Sequence, residues 1–368
     1  MTTLTQVNRQ LSTRPDDEKF CSLHDLSAHY HALDKVSASA VYQTDQIRFG
    51  LNGAGAVSLL GPKGNPAIPT NWAWKQLCAL VKSDPTHYGE MAASAPEGAE
   101  IAITALNYNL KRRPSEQIQI LARRPGTEVE VHAATGHKYG RILNSTIVDG
   151  AVKHFGDGVT GEWRVPGIFG KKVEAVTKAN TTLFGSDQEM FICLANEDKK
   201  VTVKGRRDGK DGEMSRFFWI RNSEVGAGIY EFGFGYHDYF CSNRMIWGVE
   251  EFKQIRIKHT SGAPERYLVE AIPSIREFMN ASTRDLTARI AGAQAKKLDK
   301  PADEFLRSWF TGPVTKKILA AHMVEENRPI ETLWDCNTGV TAYAKSIPWQ
   351  SERLAVEKLG GKILDLSL

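Results

Sequence analysis

Four side chains that could bind a metal ion or transfer a proton lie within one central stretch of the sequence. They are Glu224, His237, Asp238 and His259. A metal-dependent nuclease or hydrolase needs several convergent carboxylates, and only Glu224 and Asp238 supply them. The sequence contains no nucleophile elbow, catalytic-triad spacing or phosphate-binding loop. A metal-dependent hydrolase is therefore the least favoured function, and we predict no catalytic residue, metal ligand or cofactor.

Cationic and aromatic side chains in the middle of the chain have the chemistry to hold a nucleic-acid strand. Single strands bind where cations neutralise the phosphates and exposed rings stack on the bases. The candidate nucleic-acid-binding residues are Lys138, Tyr139, Arg141, Lys204, Arg206, Arg207, Arg216, Phe218, Arg221 and Tyr236. The alternatives are a solvated turn around Tyr139 and a hairpin tip that is charged only for solubility.

The most aromatic segment, from Arg216 to Asn243, organises this hypothesis. Rings alternate with Glu231, Gly233 and Gly235 along a predicted strand, at Tyr230, Phe232, Phe234 and Tyr236. A period of two places the rings on one face and the glycines on the other. A face of glycines lets another backbone come close. The segment therefore predicts either a binding surface or, if the rings face inward, a core.

The elements that position these residues predict an α+β fold. We expect a central antiparallel or mixed β-sheet with flanking helices, followed by a C-terminal helical unit. Residues 1–19 are polar and predict a disordered leader, residues 20–273 form the core domain, and residues 274–368 form the helical unit. Helices are predicted after Thr70 as far as Pro85, over 98–110 and over 144–155. Strands are predicted over 118–123, 129–133, 190–194, 201–204, 216–221, 230–236 and 249–259.

Composition sets broad limits. The 368 residues carry a formal net charge of +4, which permits a polyanionic partner without requiring one. No apolar run approaches the roughly 20 residues of a membrane-spanning helix, so we expect no membrane association. The five cysteines are widely spaced, and the polar N-terminus lacks a signal core. These features predict free thiols in a reducing cytoplasm.

Several short motifs resemble the phage- and plasmid-encoded family known as the domain of unknown function numbered nine-three-two. The central motifs are Asn222-Ser223-Glu224-Val225-Gly226, Cys241-Ser242-Asn243 and Lys258-His259-Thr260-Ser261-Gly262. Weaker matches precede and follow them, so the resemblance spans residues 70 to 345. The sequence departs from the family pattern at Arg244, His132 and His137. The resemblance implies a structural signature made of Asn222, Glu224, Gly226, Cys241, Asn243 and His259.

The same resemblance implies a protein of the bacterial cytoplasm that takes part in DNA transactions, and a distant similarity to the Rad52-like strand-annealing fold. We therefore expect a homo-oligomer that binds single-stranded DNA and is a candidate strand-annealing or recombination factor. The alternative is a protein-binding phage factor that blocks a host defence or assembles with itself. Its partners would be host or phage recombination or defence proteins.

Overall fold

A computed structural model describes residues 15–166, 173–239, 243–245, 255–280, 284–347 and 350–367. It confirms the α+β fold class, with mixed and antiparallel sheets and a helical C-terminal region. The strands form two sheets, whereas the sequence predicts one central sheet.

The N-terminal sheet has six strands in the order β2-β6-β7-β5-β4-β3. They are β2 (Ser37–Gln43), β3 (Arg48–Leu51), β4 (Val57–Leu60), β5 (Pro66–Pro69), β6 (Gln117–Arg123) and β7 (Glu130–Gly136). Neighbouring strands are antiparallel except for the parallel pair β5 and β7. Three helices accompany this sheet: α2 (Asn71–Leu80), α3 (Pro85–Ser94) and α4 (Pro96–Lys111), whereas α1 (Leu23–Lys35) packs into the core of the second sheet.

The chain connection between β2 and β3 forces this sheet to curl. The two strands are opposite edges of the sheet, and only residues 44–47 join them. Five gaps between flat strands would span about 24 Å, whereas this short connection reaches roughly 18 Å at most. The two edges therefore approach each other. Asn107 of α4 fixes the helix to the β3 edge, because its side-chain amide accepts from the Phe49 backbone nitrogen and donates to the Phe49 carbonyl, both at 2.9 Å.

The second sheet carries the aromatic segment. Its strands are β1 (Lys19–Phe20), β8 (Trp163–Arg164), β9 (Leu183–Gly185), β10 (Met190–Val203), β11 (Gly212–Asn222), β12 (Tyr230–Asp238), β13 (Asn243–Met245) and β14 (Ile255–Ile257). One path through it runs β1-β9-β10-β11-β12-β13, with β8 paired to β10 and β14 to β12. Helix α5 (Asn144–Phe155) packs on it, and Phe155 stacks on Phe218 with ring centroids 4.0 Å apart.

From Ala263 onward, the named elements of the described residues are helices. A π-helical turn (Tyr267–Ala271) follows the first short helix. The helices are α6 (Ala263–Arg266), α7 (Ile272–Asn280), α8 (Arg284–Ala295), α9 (Ala302–Arg307), α10 (Gly312–Glu326), α11 (Leu333–Ala344) and α12 (Gln350–Asp365). Among the described residues, no helix combines the length and apolar character needed to cross a membrane.

Three details differ from the sequence prediction. Residues 16–20 form a short 3-10 turn and strand β1, which pairs with β9, so the predicted disordered leader is wrong there; residues 1–14 lie outside the described residues. Helix α3 was not predicted. The predicted strands 190–194 and 201–204 are one strand, β10, interrupted by an irregularity between Ala195 and Lys200.

Candidate functional site

The rings of the aromatic segment face the protein interior. Tyr230, Phe232 and Phe234 lie in the main hydrophobic core together with Phe218, which is 0% exposed. The glycine face is covered as well, because a Cβ added at Gly233 would overlap the indole ring of Trp219. The prediction that Phe218 stacks on a base is therefore wrong: a sealed ring has no face left for a ligand.

Two of the predicted phosphate-binding arginines are held by the protein itself. Arg216 is 3% exposed, and its Nη1 donates to the Phe278 carbonyl at 2.7 Å. Burial lowers the pKa of this guanidinium. Arg221 is half-buried, and its Nε lies 2.9 Å from a Glu189 carboxylate oxygen. Tyr236 is half-buried and packs against the cluster that contains Trp334. Arg216 is too deeply enclosed to reach a phosphate.

Arg206 gives the clearest correction. It is fully enclosed and forms what we call the buried triad with Asp238 and Glu326. Its Nη1 donates to Asp238 at 2.7 Å, and its Nε donates to Glu326 at 2.8 Å. Two carboxylates thus neutralise the guanidinium and anchor the β10–β11 hairpin to α10. The same hairpin leaves Lys204 and Arg207 exposed, with Arg207 3.6 Å from Asp208.

The turn after β7 has one exposed cation. Lys138 is exposed, but the Tyr139 hydroxyl donates to the Ser223 carbonyl at 2.7 Å. The Tyr139 ring stacks on His259 with centroids 4.9 Å apart, and burial raises the pKa of its hydroxyl. Arg141 donates to the Glu224 carbonyl at 2.9 Å. Tyr139 and Arg141 are therefore engaged with the protein.

Their common partner is the segment Asn222–Gly226, here called the signature loop. The Val225 carbonyl accepts from the indole nitrogen of Trp72 at 2.9 Å and from the Gln76 amide at 2.7 Å. Both donors belong to α2, so this loop of the second sheet is fixed to the helix that packs on the first. Gly226 allows the required turn, because its φ is +83°.

Glu224 is the charged centre of the signature loop. Its carboxylate accepts from Arg123 Nη2 at 3.1 Å and from the Asn144 backbone nitrogen at 2.5 Å. Burial raises the pKa of Glu224, and both hydrogen-bond donors act in the opposite direction. Asn222 donates to the Ile142 carbonyl at 2.9 Å. The contacts of these side chains join elements of the two sheets.

The other three signature residues lie outside the signature loop. The Asn243 backbone pairs with Asp238 in the β12–β13 ladder. Cys241 lies outside the described residues. His259 donates through Nδ1 to the Gly140 carbonyl at 3.0 Å. Its pKa is lowered by burial.

The four potential metal ligands do not meet. Glu224 and His259 lie at the signature loop, whereas His237 and Asp238 lie at the far end of β12. The nine residues of β12 span roughly 30 Å. Asp238 is bound to Arg206. Within the described residues, no group of three or more histidine, cysteine or acidic side chains is arranged to hold a metal ion.

A different surface carries exposed cations around a groove. The groove measures about 700 Å³ and opens where the edges of the N-terminal sheet approach each other. Its walls are the β2–β3 connection, the β4–β5 loop, the end of α4 and the segment that follows. The residues lining it, which we call the basic groove, are Thr44, Asp45, Gln46, Ile47, Arg48, Gly61, Pro62, Gly64, Asn107, Leu110, Lys111, Arg113 and Ser115.

The charges of the basic groove are mostly positive. Arg48 and Lys111 are exposed and form no ion pair with any residue that the structure describes. Arg113 lies 3.3 Å from Glu116, and Asp45 is the one acidic side chain of the lining. Lys63 is exposed on the β4–β5 loop beside Gly64, whose φ is +74°. This arrangement attracts anions, because exposed cations without acidic partners retain their field.

The segments that form the basic groove are far apart in the sequence, and none of them predicts a binding site by itself. Gly61-Pro62-Lys63-Gly64 matches no phosphate-loop pattern, and Lys111-Arg112-Arg113 is a common end of a helix. Only the curl of the sheet brings these segments to the same place as Arg48.

No protein-family model matches this chain, and neither a curated protein nor a solved structure is significantly similar to it. The resemblance to the phage and plasmid family stays a prediction.

Proposed function

We propose that this protein binds single-stranded nucleic acid through the basic groove. The observation that carries the proposal is the pair of exposed cations, Arg48 and Lys111, that face a groove of about 700 Å³ and form no ion pair within the described ranges of the chain. Of the residues predicted from the sequence, Arg206, Arg216 and Phe218 are buried, whereas Lys138, Lys204 and Arg207 are exposed.

The groove suits a strand that is held by its phosphates. Arg48 and Lys111 approach from different segments, and Arg113 adds a third positive charge that Glu116 partly offsets. The β4–β5 loop has no side chain at Gly61 or Gly64, and a Cβ at either position would meet nothing within 4 Å. A sugar-phosphate chain can therefore come close to the backbone there.

The groove variant for the test is Arg48→Ala with Lys111→Ala. A matched control is Lys204→Ala with Arg207→Ala, which removes the same charge from the exposed hairpin tip. Affinity for a fluorescein-labelled oligothymidylate of about 15 nucleotides is measured by anisotropy at several salt concentrations. If each lost cation contacts one phosphate, the slope of log K against log salt becomes shallower by about 1.4 for the groove variant. The control variant should keep the wild-type slope.

Two outcomes contradict the proposal. One is a wild-type protein without measurable affinity for the oligonucleotide at low salt. The other is a slope that changes in the hairpin variant and not in the groove variant, which would return the site to the hairpin predicted from the sequence.

Strand annealing in the cytoplasm of a bacterial host is the role that we propose for this binding, on the family resemblance stated above. Assembly with further copies and contacts with host or phage recombination or defence proteins belong to the same proposal. A protein-binding phage factor is the alternative, and an absence of oligonucleotide binding would favour it.

A further inference from the structure

An exposed tyrosine lies beside the basic groove on the same helix. Tyr108 of α4 is 59% exposed, although tyrosine usually buries much of its ring. It precedes Lys111 by three residues and Arg112 by four, so all three side chains lie on one side of the helix. Tyr108 also lines a shallow depression of about 530 Å³ with Glu97, Glu100, Ile101, Thr104 and Ala105. The depression therefore adjoins Lys111 and Arg112 on the surface of α4.

The Tyr108 ring is oriented by its neighbour. The Arg112 guanidinium lies 5.3 Å from the ring centroid, and its Nη1 donates to the Tyr108 hydroxyl at 3.2 Å. A ring that is exposed and held in place is a platform for stacking, because little side-chain freedom remains to be lost when a base binds.

The charges along α4 favour one orientation of a bound nucleotide. Lys111 and Arg112 lie at its C-terminal end, whereas Glu97 and Glu100 lie at its N-terminal end. The acidic end begins roughly 12 Å from Tyr108 along the helix axis. Phosphates are attracted to the cationic end and repelled from the acidic end, so an uncharged group is the part of a nucleotide that fits over Tyr108.

We infer that Tyr108 stacks on one unpaired base of a single strand whose phosphates lie in the basic groove. This inference rests on the proposed function and adds the group that distinguishes a single strand from a duplex. In a duplex the bases stack on each other and leave no free face for the ring.

The test compares two strands of equal length: an oligothymidylate of about 15 nucleotides and an abasic strand that keeps every phosphate. The variants are Tyr108→Ala and Tyr108→Trp, with Leu268→Ala as the control because Leu268 is 58% exposed and lines neither the groove nor the depression. Tyr108→Ala should weaken binding of the oligothymidylate by between about fivefold and about 150-fold. Binding of the abasic strand should change by less than about twofold, and Tyr108→Trp should keep the wild-type preference.

The outcomes separate this inference from the function on which it rests. If the wild type binds both strands equally and Tyr108→Ala changes neither, the stacking inference is wrong while binding by the groove stands. Equal weakening for both strands would mean that Tyr108 acts by positioning Arg112, which also overturns stacking. If the wild type binds neither strand, the proposed function fails. A urea unfolding curve for Tyr108→Ala checks that the fold is intact.

Discussion

Arg206 and Arg48 carry the same guanidinium group in opposite surroundings. Arg206 is 1% exposed and lies between Asp238 and Glu326, whereas Arg48 is exposed at the rim of a groove and has no ion-pair partner in the described part of the chain. The first arginine holds the second sheet to the helical unit. The second remains available to an anion.

The difference shows that a basic segment indicates an anion-binding surface only when its acidic partners in the fold are also known. Around the β10–β11 hairpin, Lys200 lies 3.2 Å from Glu197, and Lys199 lies 3.0 Å from Glu162. Of the six lysines and arginines from Lys199 to Lys210, four thus lie within 4.0 Å of a carboxylate oxygen. The basic groove is less basic in sequence, but its charges converge without equal compensation.

The largest effect is expected when the buried triad is broken. Arg206→Ala removes the guanidinium that Asp238 and Glu326 both contact, and losing one partner of a buried pair costs about 3–5 kcal/mol of unfolding free energy. Arg207→Ala, one residue away and exposed, should cost less than about 0.5 kcal/mol. Urea unfolding measures both variants. Equal stabilities would show that the triad contributes nothing to the fold.

The next effect is expected where the turn after β7 meets the backbone of Thr260. A Cβ at Gly140 would overlap the carbonyl oxygen of Thr260, whereas a Cβ at Gly136 would meet nothing within 4 Å. Gly140→Ala should therefore lower the unfolding free energy by about 1–3 kcal/mol, because the backbone must move. Gly136→Ala, in the same turn, is the control. A larger loss for the control would contradict this account of the junction.

The sequence predicted those parts of the fold that depend on local signals. Thr70 begins α2 by accepting from the Ala73 backbone nitrogen, and helix α5 occupies the predicted residues 144–155. From the sequence, Pro85 predicts only the end of a helix. In the fold it also begins α3, because Asp84 accepts from the His87 backbone nitrogen at 2.6 Å.

The location of the candidate site could not be predicted in the same way. The alternation predicts that the rings of β12 share a face, but it does not predict that Phe232 and Phe234 pack against Phe278. Likewise, the acid that neutralises Arg206 from α10 is 120 residues away in the sequence. Whether a side chain faces the core or the solvent depends on such distant contacts. The basic groove likewise depends on the approach of the two edges of the N-terminal sheet.

A decrease in pH should lower the unfolding free energy through the buried side chain of His259. Burial lowers the pKa of His259 below its ordinary 6.5. At a pH between the pKa of folded His259 and its ordinary pKa, the unfolded chain binds one more proton than the folded chain. The contribution of His259 to the unfolding free energy is therefore fully present above about pH 6.5 and is lost as the pH decreases through this window. His259→Gln should lose less unfolding free energy than the wild type between about pH 7.5 and about pH 5.5. His137→Gln, exposed in the neighbouring turn, should behave as the wild type. If His259→Gln has the same pH dependence as the wild type, the loss of stability in acid comes from other titratable groups.

The smallest effect concerns the acid of the basic groove. Asp45 is exposed and lies in the lining with Arg48 and Lys111, where it opposes the entry of a phosphate. Asp45→Asn keeps the size of the side chain and removes the charge, and one exposed charge is worth up to about 1 kcal/mol. Affinity for the oligothymidylate should therefore increase by about twofold to fivefold at low salt, and the gain should shrink as salt is added. Asp208→Asn at the hairpin tip raises the net charge equally but should leave the affinity unchanged, because the strand does not lie there. If both variants bind equally tightly, the strand responds to the overall charge of the protein and the groove has no special part in its binding.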